Sequence, residues 1–318
     1  MHREAAGKIV EIPFVVEPNY AGWRLDLYLC EKIRRLSRSR IQQIIEKDLI
    51  CDRPLKSSSR IVSGLAFRLR RRVEEEPDAP KEIGEIFCDE AILVVDKPAG
   101  LPIHATARYH HNTLVQVLRT KYGPDFGTDP AHRLDRETSG LVLCARTTEV
   151  SRRLGRAFVA GEVEKSYLAI CEGSPKEDRF EVDAPIAEGG AQIRIAVRVD
   201  PLLGRPSRTE FTVSRRFERD GAVFALLRAR PVTGRQHQIR IHLRHAGFPL
   251  VGDKIYGPDE GYFDRFSKHC LESEAWARLR LPRHALHAAS LAFAHPLTGK
   301  RLQLESPLPM DLRTFLED

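Results

Sequence analysis

The run 132–140, His-Arg-Leu-Asp-Arg-Glu-Thr-Ser-Gly, constrains this chain more than any other feature. It sets one acid between two cations and leads at once into Gly140-Leu141-Val142-Leu143-Cys144-Ala145, an apolar run of strand length. Asp135 therefore lies on a loop that a rigid, buried element positions. Arg133 and Arg136 would each favour the charged form of its carboxyl. An ordinary salt-bridged loop acid feeding a strand has the same spacing, so spacing alone leaves the role of Asp135 open.

At 318 residues the chain is longer than a usual domain of about 100–200 residues, and two domains are expected. With 42% hydrophobic and 30% charged residues it has a soluble globular composition, and no apolar run approaches the ~18 residues of a membrane span. No charged-then-apolar leader opens the chain, so a cytoplasmic protein is expected, without a membrane partner. Six cysteines are scattered without a CxxC pair, and no acid or cysteine flanks His110-His111 at ligand spacing; no metal site is expected.

The net charge of +7 is unevenly placed. Residues 15–72 hold fourteen Lys/Arg against six Asp/Glu, a net of +8, which leaves −1 for the rest of the chain. Residues 1–14 read as a tail. Leu25, Leu29 and Ile33 mark a first helix; Ser37 or Ser39 can cap a second whose apolar face is Ile41, Ile44 and Ile45. Leu65, Phe67 and Leu69 then alternate with Ala66, Arg68 and Arg70 as a half-buried strand does. Arg34, Arg35, Arg38 and Arg40 cluster at the helix junction, a generic footprint for nucleic acid. The charged, proline-containing stretch 73–83 reads as a linker, and 84–318 as the second domain.

In that second domain strands are expected at 92–95, 141–144, 167–171, 193–199, 209–213, 223–229 and 288–293, with helices near 114–118, 151–158 and 236–246. Ile193, Ile195, Val197 and Val199 would share one face of their strand. The strands do not alternate strictly with helices, which indicates an α+β domain rather than a doubly wound one.

The string at 132–140 resembles the nucleophile motif of RNA pseudouridine synthases, in the branch that modifies uridines of large-subunit ribosomal RNA and related RNAs. Six further matches follow the family order: Asp96-Lys97-Pro98-Ala99-Gly100-Leu101-Pro102-Ile103-His104, Lys165-Ser166-Tyr167-Leu168-Ala169, Gly204-Arg205-Pro206-Ser207-Arg208-Thr209-Glu210-Phe211, Thr233-Gly234-Arg235-Gln236-His237-Gln238-Ile239-Arg240, Pro249-Leu250-Val251-Gly252-Asp253 and Leu286-His287-Ala288. The helix-helix-strand order of 15–72 is similar to the small RNA-binding module first described in a ribosomal small-subunit protein, although Asp52-Arg53 stands where such modules often have Asn-Gly and Leu65 where an acid is common.

The resemblance implies a mixed, largely antiparallel sheet with a central RNA-binding cleft, and isomerisation of uridines, most plainly in large-subunit ribosomal RNA; that reaction involves no redox change and no energy input, so no cofactor is expected, and the protein is expected to be a monomer. The resemblance assigns Asp135 as the essential carboxylate, Tyr167 as a ring packing on the flipped uracil, and Arg240 as the cation that pairs with Asp135. Arg133 would fill the space the base vacates, or else contact a phosphate; Lys165 is read as a phosphate or structural contact, and Arg235 as a loop contact to RNA or to the sheet. His237 and His287 are expected to be scaffold hydrogen-bonders. Two other readings stay open at this stage: an RNA-binding ribosome-assembly factor with a vestigial site, and a nucleoside-cleaving hydrolase, although glycosidases ordinarily need a second positioned acid.

Overall fold

The computed structural model describes residues 8–34, 36–73, 76–106, 108–189, 193, 195–259 and 261–317. The chain divides into two units, Met1–Glu76 and Pro77–Asp318.

The first unit consists of strand β1 (Lys8–Val15), helices α1 (Leu25–Lys32) and α2 (Arg38–Asp48), and strands β2 (Leu49–Ile50) and β3 (Ala66–Val73), with sheet order β1-β3-β2. The two helices bury Leu25, Leu29, Ile41 and Ile45 against Phe67 and Leu69 of β3, as their spacing predicts. Ser37 caps α2 by accepting the Arg40 N–H. Between the helices Asp26 is buried and accepts hydrogen bonds from Arg24, Arg38 and Gln42, which together drive its carboxyl well below the usual range. Residues 8–14 are not a tail. They pair along the whole of β3, and the Phe14 ring stacks on Phe67 at 5.3 Å, so the segment gains both ladder hydrogen bonds and aromatic contact. Arg35 lies outside the described residues.

The second unit runs β4 (Gly84–Cys88), β5 (Ile92–Lys97), α3 (Leu114–Tyr122), β6 (Asp129–Pro130), β7 (Ser139–Ala145), α4 (Thr148–Ala160) and β8 (Glu164–Glu172). After these come β9 (Arg179–Asp183), β10 (Ile186–Glu188), β11 (Val197–Val199), β12 (Arg208–Arg219), β13 (Ala222–Pro231) and α5 (Gln238–His245). Helices α6 (Tyr262–Ser267) and α7 (Ser273–Leu279), strands β14 (Leu286–Ala294) and β15 (Arg301–Glu305), and helix α8 (Met310–Glu317) complete it. The main sheet is ordered β4-β5-β7-β14-β8-β13-β12-β9, with β15 on β14 and β6 on β7; among the described residues only β7 and β14 pair in parallel. The fold is α+β with a mixed, largely antiparallel sheet.

Strands β5 and β7 are apolar at successive positions because both their faces are covered. Leu93, Val95, Val142 and Cys144 meet Leu114 and Leu118 of α3 on one side, and Ile92, Val94, Leu141 and Leu143 meet Val150 and Leu154 of α4 on the other. On the α3 side, Ile239 and Leu243 of α5 cover Ala169, Phe211, Leu227 and Ala229, and Tyr167 of β8 joins the two clusters. The loop that precedes β7 and the start of α5 meet at this junction. Among the described residues, no helix is long and apolar enough to cross a membrane.

Two expectations are corrected. Ala79 and Ile83 are buried with Leu93 and Val95, so this part of the stretch read as linker is core of the second unit. Of the described residues in 193–199 only Val197–Val199 are strand, β11, whose partner β10 ends at Glu188, just before Gly189 with its φ of +84°. Val197 is buried, Ile195 is 48% exposed, and Gln192 and Arg194 of that segment lie outside the described residues.

Gly140 fixes where β7 enters the sheet. Its φ is +110°, and a Cβ there would lie 2.3 Å from the Ala288 carbonyl oxygen of β14. Gly140→Ala should therefore lower folding stability by about 3 kcal/mol or more, read as a shift of the urea midpoint. A midpoint equal to that of the parent would contradict the close approach.

Candidate active site

Asp135 sits on the loop before β7, and that loop is fastened from below. His132 Nε2 accepts the Leu143 N–H at 3.0 Å, and burial, with a contribution from Lys165, holds the imidazole neutral with its pKa down to about 3. The buried Lys97 ammonium donates to the carbonyls of Pro98, Leu101 and Arg136, and the Arg136 carbonyl also accepts the Gly100 N–H. Burial lowers the Lys97 pKa to about 7, against the pull of Asp135. Thr138 Oγ1 bonds His284 Nε2 at 2.8 Å, Ser139 Oγ bonds His287 Nδ1 at 3.0 Å, and Glu137 receives both its oxygens' contacts from Lys254 Nζ at 3.0 Å. The backbone on both sides of Asp135 is thus tied down while its carboxyl faces open space.

The partner of that carboxyl is not either neighbouring arginine. Arg133 is exposed, and Arg136 turns to the Tyr109 hydroxyl and Glu137. The flanking residues of a loop splay to alternate sides, so proximity in sequence does not deliver contact. Arg240 of α5 donates from Nη1 to Asp135 Oδ2 at 2.8 Å. Its Nε and Nη2 grip the two oxygens of Asp253 at 2.7 and 2.8 Å, and Asp253 Oδ1 also accepts the N–H groups of Ile255 and Tyr256. The guanidinium lies 5.0 Å from the centre of the Tyr256 ring. A bidentate carboxylate and a ring face leave the Arg240 fork one orientation, with its remaining nitrogen aimed at Asp135.

Burial raises the Asp135 carboxyl, but His237 and His284, once protonated at low pH, together with Arg240 outweigh it and bring the pKa to about 2. Burial in turn pushes His237 down to about 4 and His284 to about 3, so both are neutral near pH 7. Arg240 is then the cation that keeps Asp135 ionised. His237 is oriented by Tyr256: the hydroxyl accepts the Val197 N–H at 2.8 Å and lies 2.8 Å from His237 Nδ1. If that hydroxyl donates to Nδ1, the Nε2 proton points toward Asp135 Oδ1, 3.6 Å away. His237 adopts left-handed backbone, φ 54°, so α5 begins at Gln238 and Gln236 falls outside the helix. Arg240 is buried, whereas Arg244, one turn further on, is exposed.

Asp135 opens into a cleft of about 850 Å³. Tyr167, Arg133, Lys165, Arg235 and Arg240 also line it, so six of the residues singled out from sequence converge here. The Tyr167 ring is half-buried; burial and the Asp135 charge raise its hydroxyl pKa, and among the described residues that hydroxyl has no hydrogen-bond partner. Lys165 Nζ lies 5.9 Å from the Phe158 ring, and burial lowers its pKa. Arg235 is exposed and touches the Pro206 carbonyl at 3.4 Å. Arg34, Arg38 and Arg40 belong to the first unit, where Arg34 pairs with Glu31, Arg38 with Asp26, and Arg40 donates to the neutral Gln43.

Sequence reasoning did not assign Asp253, His237 or Lys97 to this assembly. Signals existed: Asp253 closes the Pro-Leu-Val-Gly-Asp string, and Gly252, with φ +74° and a Cβ position 2.0 Å from the Arg283 carbonyl oxygen, allows the close turn that delivers it. Among the described residues, no three His, Cys, Asp or Glu side chains gather as metal ligands.

Residues 91–245 match the family model described as RNA pseudouridylate synthase. The chain is 35% identical over 324 aligned positions to ribosomal large subunit pseudouridine synthase D of Nitrosomonas europaea, covering 96% of this chain and 87% of that one. It is 31% identical to the protein of the same name from Escherichia coli K12, covering 97% and 94%. Among solved structures, human RNA pseudouridylate synthase domain containing 1 superposes with a TM-score of 0.58 at 26% identity, over 73% of this chain and 86% of that one.

The grip on Arg240 carries a stability consequence. Asp253→Asn keeps the shape but leaves a buried guanidinium short of one carboxylate, and should cost about 3 kcal/mol of folding stability. Equal urea midpoints for variant and parent would show that the Arg240–Asp253 pair is not anchored as described.

Proposed function

The chain belongs to the RNA pseudouridine synthase family, and from that premise we propose that the Asp135 cleft is its catalytic centre and that large-subunit ribosomal RNA is its substrate. It isomerises uridine in RNA to pseudouridine. The bond from ribose to the base nitrogen breaks, the uracil turns, and a new bond forms to carbon five as that carbon loses its proton to solvent and the nitrogen gains one. Nothing is oxidised or reduced, so the chemistry asks for one ionised carboxylate beside the glycosidic carbon, as nucleophile or base, and a walled space that retains the detached base.

The observation that carries the assignment is the Arg240 bridge, which holds Asp135 charged at the floor of the cleft. A target uridine must leave its stack to reach that floor, at a cost of a few kcal/mol that is lowest in loops and bulges. Tyr167 supplies a ring for the flipped uracil to pack on. Arg133, exposed at the cleft and without an ion pair among the described residues, is placed to fill the vacated position in the RNA. Lys165 and Arg235 serve the adjoining phosphates. In the first unit Arg40 retains an unneutralised charge for RNA, whereas Arg38 mainly holds Asp26 and so builds the module. A monomer acting in the cytoplasm fits this reading.

Glycoside hydrolysis ordinarily uses two carboxyl groups. The other two carboxylates lining the cleft, Glu164 and Glu210, are ion-paired with Arg301 at 2.7 Å and Arg208 at 3.0 Å, which disfavours that route. A vestigial site in an assembly factor has no observation in its favour.

Asp135→Asn should reduce single-turnover pseudouridine formation in a ribosomal RNA transcript by about a thousandfold or more while RNA affinity stays within about tenfold. Substantial residual turnover would remove Asp135 from the chemistry. At Tyr167, phenylalanine keeps the ring and alanine does not, so Tyr167→Ala should be much the slower of the two. Equal, severe losses would assign the role to the hydroxyl instead.

A further inference from the structure

Leu202 and Leu203 are 93% and 75% exposed, side by side in the turn that joins β11 to β12. This turn is built rather than loose. Asp200 Oδ1 accepts the N–H groups of both leucines at 3.0 Å, the Gly204 N–H returns to the Asp200 carbonyl at 2.9 Å, and the Asp200 N–H reaches the Pro185 carbonyl at 2.9 Å. Two adjacent leucines held out into water by a fixed backbone mark an interaction surface more than an accident of packing.

The segments on either side of the turn meet the rim of the cleft. Arg235 Nε meets the Pro206 carbonyl, the Val232 N–H meets the Arg208 carbonyl at 3.0 Å, and Gln236 Nε2 meets the Ile195 carbonyl at 3.3 Å; Val232, Arg235 and Gln236 all line the cleft. Val232 and Ile195 are themselves 53% and 48% exposed. Among the described residues, neither Arg205 nor Arg235 pairs with a carboxylate, although nearby Arg198 and Arg208 both do. Exposed apolar side chains and unneutralised guanidinium groups thus lie both on the turn segment, at Leu202, Leu203 and Arg205, and on the stretch of rim it meets, at Val232 and Arg235. Single-stranded RNA has that pattern of needs, with base faces for apolar surface and phosphates for cations.

We infer that the Leu202-Leu203 turn is a wedge against which the unpaired nucleotides flanking the target uridine pack, with Arg205 and Arg235 on their phosphates. This rests on the reading of the cleft as the site of uridine isomerisation. Apolar wedges that insert between bases also hold the strand open, so the turn helps keep the target out of its stack. Arginine supplies salt-dependent affinity here and leucine supplies affinity that salt does not screen.

The test uses the full-length protein carrying Leu202→Ser and Leu203→Ser together, and separately Arg205→Ala, with a short oligouridylate and a ribosomal RNA transcript as probes. All three side chains are exposed, so the fold is unaffected by their loss. The leucine variant should bind oligouridylate about fivefold or more weakly with an unchanged salt slope, and its KM for the transcript should rise in step. Arg205→Ala should lower the salt slope by about 0.7. Unchanged oligouridylate affinity in the leucine variant overturns the wedge, as does a loss confined to self-association in sedimentation, which would assign the leucines to a second copy of the chain. A parent protein that forms no pseudouridine in the transcript overturns the reading beneath it; a parent that does, beside a variant that binds equally well, overturns the wedge alone.

Discussion

The site depends on the orientation of one guanidinium. Arg240 is buried, and a buried cation is tolerated only where its donors are matched by acceptors and its charge by carboxylates. Asp253 takes two of its nitrogens and Asp135 the third. The bridge is asymmetric in a useful way: Asp253 is fully buried and also accepts two backbone N–H groups, so it acts as an anchor, while Asp135 remains partly open to the cleft. One carboxylate is committed to structure so that the other can be held ionised and still meet a substrate.

Much of the second unit converges on that bridge. The apolar strands β5 and β7 place the loop, with Gly140 permitting β7 to lie against β14. Lys97 gathers three carbonyls beneath the loop, and Lys254 holds Glu137 beside Phe266 and Trp276, whose rings lie 4.8 and 5.7 Å from its Nζ. Helix α5 delivers Arg240 from the far side by packing Ile239 and Leu243 on the sheet. Rigid elements meeting from different parts of the chain explain why a surface-facing acid can keep a fixed partner.

Apolar periodicity made the strands and helices of the sheet legible, because burial on a face leaves a pattern in the residues that form it. The motif strings likewise pointed to Asp135, Tyr167 and Arg240. Pairing across distance came only with the resemblance, which named Arg240 as the partner of Asp135; nothing local distinguishes Arg240, 105 residues away in sequence, from the neighbours Arg133 and Arg136 as that partner, and nothing paired Asp253 with it. Residues 8–14 were equally opaque, since an edge strand that exposes Ile9 and Ile12 has no clean alternation and owes its form to β3. The short β11 shows the converse: an alternating sequence stays a strand only as far as its partner extends.

The central claim is that Arg240 keeps Asp135 charged in a setting where burial pushes its pKa upward. The direct measurement is the pH dependence of single-turnover pseudouridine formation between pH 5 and 8, compared for the parent and Arg240→Met. With the Asp135 pKa at about 2, the carboxyl of the parent is ionised throughout that window, and its profile should show no acidic limb from this group. Removing Arg240 leaves burial opposed only by His237 and His284, which are neutral near pH 7, and raises the pKa, so the variant should be slower and should lose activity as pH falls within the window. A variant whose rate and profile match the parent would contradict the account.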